Sequence, residues 1–486
     1  MNAPLRRLAV VAFALFAALL ASTTWIQFVR ADELNADPRN SRTLLRELGR
    51  ERGPIVVAGD PVAASVADED DDPYEFQREY AQPRLYAHTT GYYSVFFGAS
   101  GLEQAAGDLL SGTADQLFYR RVSDLLTGAE PQGAVVETTL DPVVQQVATE
   151  ALGGQRGAVV ALDPATGDML AMVSSPDFDP NELASHDREA ATAARQALLD
   201  DPARPLENRA ISGRLYPPGS VFKVVTAAAA LESGRYDENS VVPGPAELDL
   251  PQTTVNLPNS SGQACGPDDQ VSLTDAMRQS CNTAFGAIGL DLGDDALRDQ
   301  AQAFGFGQEL RIPLRATPSS LPEDMDAPQT AQAAIGQFDV RVTPLQMAMV
   351  SAAVANRGVV MQPQLVQAVR SADLEVIDEP QPTELGRAVS EETAAALARM
   401  MVTVVQEGTG EAAQISGVSV AGKTGTAQHA EGADPHAWFT AFAPVEDPQV
   451  AVAVVVEEGG EAGSEASGGR TAAPVARAVI EAVLSR

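Results

Sequence analysis

Only two of the 33 basic residues in this chain are lysine, Lys223 and Lys423; the other 31 are arginine. Arginine stays protonated, whereas a lysine shielded from water can lose its proton and act as a base. Lys223 ends the run Tyr216-Pro217-Pro218-Gly219-Ser220-Val221-Phe222-Lys223 and opens an apolar stretch over 224–231. The prolines and glycine force a turn, and the apolar stretch predicts a buried helix. Ser220 then falls at the helix N-terminus, with Lys223 three residues later on the same face. Walled by Val221, Phe222, Val224 and Val225, Lys223 has its charged form disfavoured and can take the serine proton in nucleophilic catalysis. Backbone N–H groups at the helix start can stabilise a developing oxyanion. An N-capping serine beside a snorkelling lysine would carry the same spacing.

The second lysine lies in Gly422-Lys423-Thr424-Gly425-Thr426, after an apolar run. As a β-strand this places a cation and hydroxyls along one edge, and Gly425 leaves room for a ligand backbone to lie close. Such an edge suits an extended peptide ending in a carboxylate, bound by strand addition plus a charge contact. A solvated strand would also tolerate these residues. Between the lysines sits Ser280-Cys281-Asn282. In an extended segment residues i and i+2 point the same way, so Ser280 could relay a proton while Asn282 binds a substrate amide.

The elements that must position these residues are legible in outline. Residues 8–29 are apolar save for Ser22, Thr23, Thr24 and Gln27, long enough as a helix to span a bilayer core. Arg6 and Arg7 precede them, which predicts a cytoplasmic tail over 1–7 and an exterior location for everything after residue 29. With Trp25 at the outer end and no small-residue cleavage site following, an uncleaved anchor is expected rather than a signal peptide. Residues 30–153 read as a small module, with a helix at 41–50, a strand at 54–57, an aromatic core patch at 92–97 and a helix at 111–126. The glycine-rich cluster at 153–157 marks a boundary to a second domain over 154–486. It opens with a strand pair at 158–162 and 169–173, is mostly helical over 187–410, and closes with strands at 418–426, 437–443 and 449–456. A Gly- and Glu-rich loop over 457–469 and a helix at 472–484 end it. Strands at both ends with helices between them predict an α+β fold, an antiparallel five-stranded sheet flanked by helices.

Composition removes other function classes. With 66 acidic residues the formal net charge is −33, which argues against nucleic acid as a partner. The acidic run over 68–72 reads as a solvated loop. Two cysteines and four histidines leave no structural zinc site, and no cofactor is expected. Outside the cell Cys265 and Cys281 either form a disulfide, which would contribute about 3 kcal/mol for so short a loop, or remain buried thiols. A loop reading suits His429, and Trp438 is expected to pack in the sheet. No Gly-x-Ser-x-Gly elbow surrounds Ser220, which speaks against an α/β-hydrolase.

Taken together, Ser220-x-x-Lys223, Ser280-x-Asn282 and Lys423-Thr424-Gly425 occur in the order that marks penicillin-binding proteins and serine β-lactamases. The chain resembles the class B penicillin-binding proteins, the monofunctional D,D-transpeptidases, and most the actinobacterial penicillin-binding protein A type. The resemblance runs over the whole chain and includes the stretch 173–181, Asn208-Arg209-Ala210, Gly336-Gln337 and the stretch 342–348. It implies that Ser220 attacks the carbonyl between the terminal D-alanines of a peptidoglycan stem peptide. Lys223 would be the base and Ser280 would pass the proton toward the leaving amine. Asn282 would hold the substrate amide, while Lys423, Thr424 and Thr426 would recognise the terminal carboxylate beside Gly425. Backbone N–H groups of Ser220 and Thr426 would form the oxyanion hole, an acceptor amine would complete the cross-link, and β-lactams would acylate Ser220. The 120 or so residues before the Ser-Lys domain are too few for a glycosyltransferase module, so a separate membrane glycan polymerase is the implied partner. A D,D-carboxypeptidase or β-lactamase on the same fold, and a non-catalytic division or elongation scaffold, are the alternatives.

Overall fold

The computed structural model describes residues 2–30, 51–67, 74–117, 132–310, 312–429 and 432–486. The chain divides into two compact units, Met1–Glu51 with Val66–Gln77, and Arg52–Ser65 with Arg78–Arg486. In the first, the helix Asn2–Thr24 continues as a π-helical turn, Trp25–Val29. Its segment Arg6–Gln27 is long and apolar enough to cross a membrane, and none of it is buried.

The second unit is built on a five-stranded sheet: β1 (Gly157–Leu162), β2 (Met169–Ser175), β3 (Ala421–Ala427), β4 (His436–Ala443) and β5 (Val450–Val456). Spatial order is β3-β4-β5-β1-β2, and every neighbouring pair is antiparallel. The fold class expected from the chain ends is therefore the one found. The helices that matter for the site are α1 (Pro142–Leu152), α2 (Lys223–Glu232), α3 (Leu273–Arg278), α4 (Asn282–Leu292), α5 (Pro344–Ala355), α6 (Glu391–Glu407) and α7 (Ala473–Leu484). Alternate strand residues feed two cores. Val159, Phe439 and Val454 pack with α1 and α7, whereas Val160, Trp438 and Val455 join the larger core with α2 and α5. Covered on both faces, β5 can be apolar at every position, as its sequence is. The strand at the open edge is β3, which carries Lys423 to Thr426.

The preceding module is less regular than expected. Its sheet runs Val376–Asp378, Val366–Arg370, Val135–Thr138, Ile55–Val57 and then residues 60–63, so two of its strands come from far along the chain. Glu103 is buried at its centre and paired with Arg52 at 2.6 Å and Arg78 at 2.7 Å. In the patch at 92–97, Ser94 and Val95 are buried and Tyr92 packs on Ala87, Phe178 and Leu183, whereas Tyr93, Phe96 and Phe97 are half-buried, each under a guanidinium, of Arg52, Arg188 and Arg195 respectively. Of the helix expected at 111–126, the described part holds only the 3₁₀ turn Asp115–Leu117, because Gly112 ends the preceding helix with φ +73°. The rest of that segment and the helix expected at 41–50 lie outside the described residues. The middle segment also carries short hairpins that periodicity did not show, such as Glu247–Asp249 with Asn256–Pro258.

Candidate active site

Residues Gly219–Phe222 form a 3₁₀ turn, and Lys223 is the first residue of α2. With three residues per turn, side chains three apart eclipse, which aligns Ser220 with Lys223 more closely than an α-helical start would. The tighter turn follows from what it packs against. Gly219 has φ +55°, and a Cβ there would stand 2.7 Å from the Thr426 carbonyl oxygen of β3. From the sheet, Trp438 Nε1 donates to Pro217 O at 3.1 Å, and the Gly219 N–H donates to Gly336 O at 2.9 Å. The serine is thus pinned to the open edge of the sheet.

Both lysines are fully buried. Lys223 Nζ donates to Ser280 O at 2.7 Å and to Asn282 Oδ1 at 2.8 Å, and lies 3.2 Å from Ser280 Oγ. Lys423 Nζ donates to the same Ser280 Oγ at 2.8 Å and to Thr424 O at 2.9 Å. Burial, and then the neighbouring Lys423 ammonium, hold Lys223 well below the ordinary lysine range. Burial lowers Lys423 to about 7. The snorkelling alternative is therefore wrong for Lys223, since no path of side chain leads to water.

Ser280 and Asn282 do converge on Lys223, but not through an extended segment. Helix α3 ends at Arg278, Ser280 takes a left-handed conformation with φ +61°, and Asn282 opens α4. A non-glycine residue held there costs about 1–3 kcal/mol, which the surrounding packing offsets. The turn directs both the carbonyl and the hydroxyl of Ser280 at Lys223. Cys281, between them, is bonded to Cys265 with a Cα–Cα separation of 6.1 Å, which resolves the choice between disulfide and thiols.

On β3, Thr424 Oγ1 shares a 2.6 Å hydrogen bond with Thr409 Oγ1, and Thr426 is exposed. A Cβ on Gly425 would meet Trp438 Cβ at 2.9 Å and Pro218 O at 3.0 Å, so the missing side chain also admits the nucleophile turn. A groove of about 700 Å³ opens over these residues, with Ser220, Ser280, Asn282, Thr424 and Thr426 on its walls. None of its lining residues is charged, although the chain carries −33, so the two lysines beneath are the titratable groups that face it.

Behind the turn lies a buried ion pair that sequence reasoning did not find. Glu457 Oε1 accepts from Arg209 Nε at 2.9 Å and from the Tyr216 hydroxyl at 2.6 Å. His436 stacks on His429 with ring centroids 4.1 Å apart, and burial followed by His429 lowers it to about 4. Its Nδ1 accepts from the Glu458 N–H at 3.1 Å. Trp438 is buried in the sheet as expected. Thr409, Asn259 and Glu457 escaped the sequence reading because each acts through the fold: the first two sit in loops of turn-forming residues, the third at the end of an apolar strand.

Residues 157–481 match the family model of the penicillin-binding protein transpeptidase domain, and residues 52–136 match that of the penicillin-binding protein A dimerisation domain. The chain is 46 % identical over 493 residues to the peptidoglycan D,D-transpeptidase PbpA of Mycolicibacterium smegmatis, covering 100 % of this chain and 99 % of that one. It is 45 % identical over 495 residues to PbpA of Mycobacterium tuberculosis, with the same coverage. The solved structure of penicillin-binding protein A from M. tuberculosis as a ceftriaxone acyl-enzyme complex aligns with TM-score 0.87 and 44 % identity, over 90 % of this chain and 100 % of that one. Its penicillin G acyl-enzyme complex aligns with TM-score 0.85.

Proposed function

The chain belongs to the penicillin-binding protein transpeptidase family, and on that premise we propose how its residues carry out peptidoglycan D,D-transpeptidation through an acyl-serine. The observation that carries the reading is Ser280 Oγ lying between two buried lysines, beneath a groove that Ser220 also lines. A neutral lysine has two N–H bonds and one lone pair. Ser280 O and Asn282 Oδ1 take the two N–H bonds of Lys223 at its shortest contacts, which leaves the lone pair for the Ser220 proton. Ser220 Oγ bonds to the carbonyl carbon between the two D-alanines, and the C–N bond then breaks. The serine proton passes through Lys223 and Ser280 Oγ to the leaving amine, and D-alanine departs. Backbone N–H groups of Ser220 and Thr426 hold the oxyanion between. An acceptor amine from a second stem attacks the ester and gives its proton back along the same path to Ser220.

Lys423 serves this cycle in two ways. Its hydrogen bond orients Ser280, and its charge attracts the substrate carboxylate to Thr424 and Thr426 on the open edge of β3. β-Lactams enter as mimics of the D-Ala-D-Ala end and acylate Ser220. The segment Arg6–Gln27 anchors the chain in the membrane with the second unit outside, and a separate membrane glycan polymerase supplies the strands. The test supplies the full chain in detergent with a peptide ending in D-Ala-D-Ala and a free amine acceptor. Transfer product in excess of hydrolysed peptide supports the reading; hydrolysis alone reassigns the protein as a carboxypeptidase.

A further inference from the structure

We infer that Asn259 is a positioning residue for the general base, acting on Lys223 through Asn282. The inference rests on the roles proposed above for Ser220 and Lys223. A helix start leaves its first N–H groups without intrahelical partners, and the residue just before the helix ordinarily caps them with its side chain. Before α4 that residue is Cys281, whose sulfur is committed to the disulfide and makes no cap. The cap arrives from another loop instead. Asn259 Oδ1 accepts from the Asn282 N–H at 2.9 Å and from the Thr283 N–H at 3.0 Å.

The other end of the same amide is equally committed. Asn259 Nδ2 donates to Pro245 O at 2.8 Å and to Gln263 O at 2.9 Å, and the residue is only 6 % exposed. Its neighbour in sequence completes the grip: Pro258 O accepts from Asn282 Nδ2 at 3.1 Å. Residues 258 and 259 therefore hold Asn282 at its backbone N–H and at its side-chain NH2. Fixing the NH2 on Pro258 forces Oδ1 toward Lys223, where it accepts at 2.8 Å. That acceptor and Ser280 O together set where the lysine lone pair points.

Two substitutions separate positioning from mere support, because the disulfide keeps the loop tethered in both. Asn259→Ala frees Asn282 to rotate and lowers the first-order acylation rate on the order of 10- to 100-fold. Asn259→Asp keeps the acceptor for the two N–H groups, loses the donations to Pro245 O and Gln263 O, and adds an anion near Lys223. It therefore favours the protonated lysine and moves the acid limb of the acylation pH profile to higher pH. The experiment is stopped-flow acylation of the full chain in detergent by a fluorescent penicillin, across pH, with thermal melting alongside. Ser220→Ala runs as the control: if it labels like wild type, the acyl-serine reading fails, whatever Asn259 does. With that control dark, an Asn259→Ala variant acylating at the wild-type rate, or an Asn259→Asp limb that stays in place, overturns the inference. A fall in melting temperature with neither kinetic change assigns Asn259 a structural role only and overturns it as well.

Discussion

Replacing Lys423 by methionine should raise the proton affinity of Lys223, and the size of the effect follows from one shared atom. The two lysine nitrogens lie 3.2 Å and 2.8 Å from Ser280 Oγ, so they are no more than 6.0 Å apart. At an effective dielectric of about 20, two unit charges at about 6 Å repel by about 3 kcal/mol, a factor of about a hundred in an equilibrium constant. The sign is fixed: a cation next to Lys223 disfavours its protonated form, so removing the cation favours it. Only the neutral amine takes the Ser220 proton. Below the acid limb of the wild-type profile, where Lys423 is fully charged, Lys423→Met should therefore acylate about a hundredfold more slowly from this cause alone, with the limb displaced to higher pH. Loss of the carboxylate contact lowers the whole curve without moving the limb, which keeps the two effects apart. Wild type should also lose second-order acylation rate above about pH 7, as Lys423 gives up its proton. Lys423→Arg, permanently charged, should keep the acid limb and lose that alkaline fall. The assay is the second-order rate constant for a fluorescent penicillin measured across pH. A limb that stays put in Lys423→Met, or moves to lower pH, refutes the reasoning.

Other consequences are quicker to check. Converting both Cys265 and Cys281 to serine should cost about 3 kcal/mol, as a lower denaturant midpoint that matches wild type under reducing conditions, given the 16-residue separation. Glu457→Gln leaves the buried Arg209 guanidinium without its counter-charge and should destabilise by about 3–5 kcal/mol near neutral pH. Burial alone would raise the Glu457 carboxyl, but Tyr216 and Arg209 outweigh it and hold it below the ordinary 4.5. Its contribution is thus complete above that value and lost as pH falls further, so wild type and Glu457→Gln should converge in stability in acid.

How much of this was legible beforehand depends on whether the cause was local. The strands β1 and β5 announced themselves because both faces are covered and their six and seven residues are apolar throughout. Two of the three motifs were visible because lysine is so rare in the chain that both copies drew attention. The reasons behind individual positions were not. That Gly425 must also make room for Trp438 and Pro218 is a packing fact that only the folded sheet supplies. Ser280 appeared extended because nothing in Arg278-Gln279-Ser280-Cys281-Asn282 reveals that two helices meet there in a left-handed turn. Asn259 and Glu457 reach their partners across 23 and 248 residues of sequence. No local pattern encodes such contacts.

The central claim is that Ser220 is the acylated nucleophile and keeps its acyl group for an amine acceptor. Its most direct test is to treat the full chain in detergent with a fluorescent penicillin, follow the label over time, and map it by peptide mass. Long-lived label on the peptide containing Ser220, absent from a folded Ser220→Ala variant, is the predicted result. Equal labelling of that variant, or label on the wild type that disappears within seconds, would contradict it.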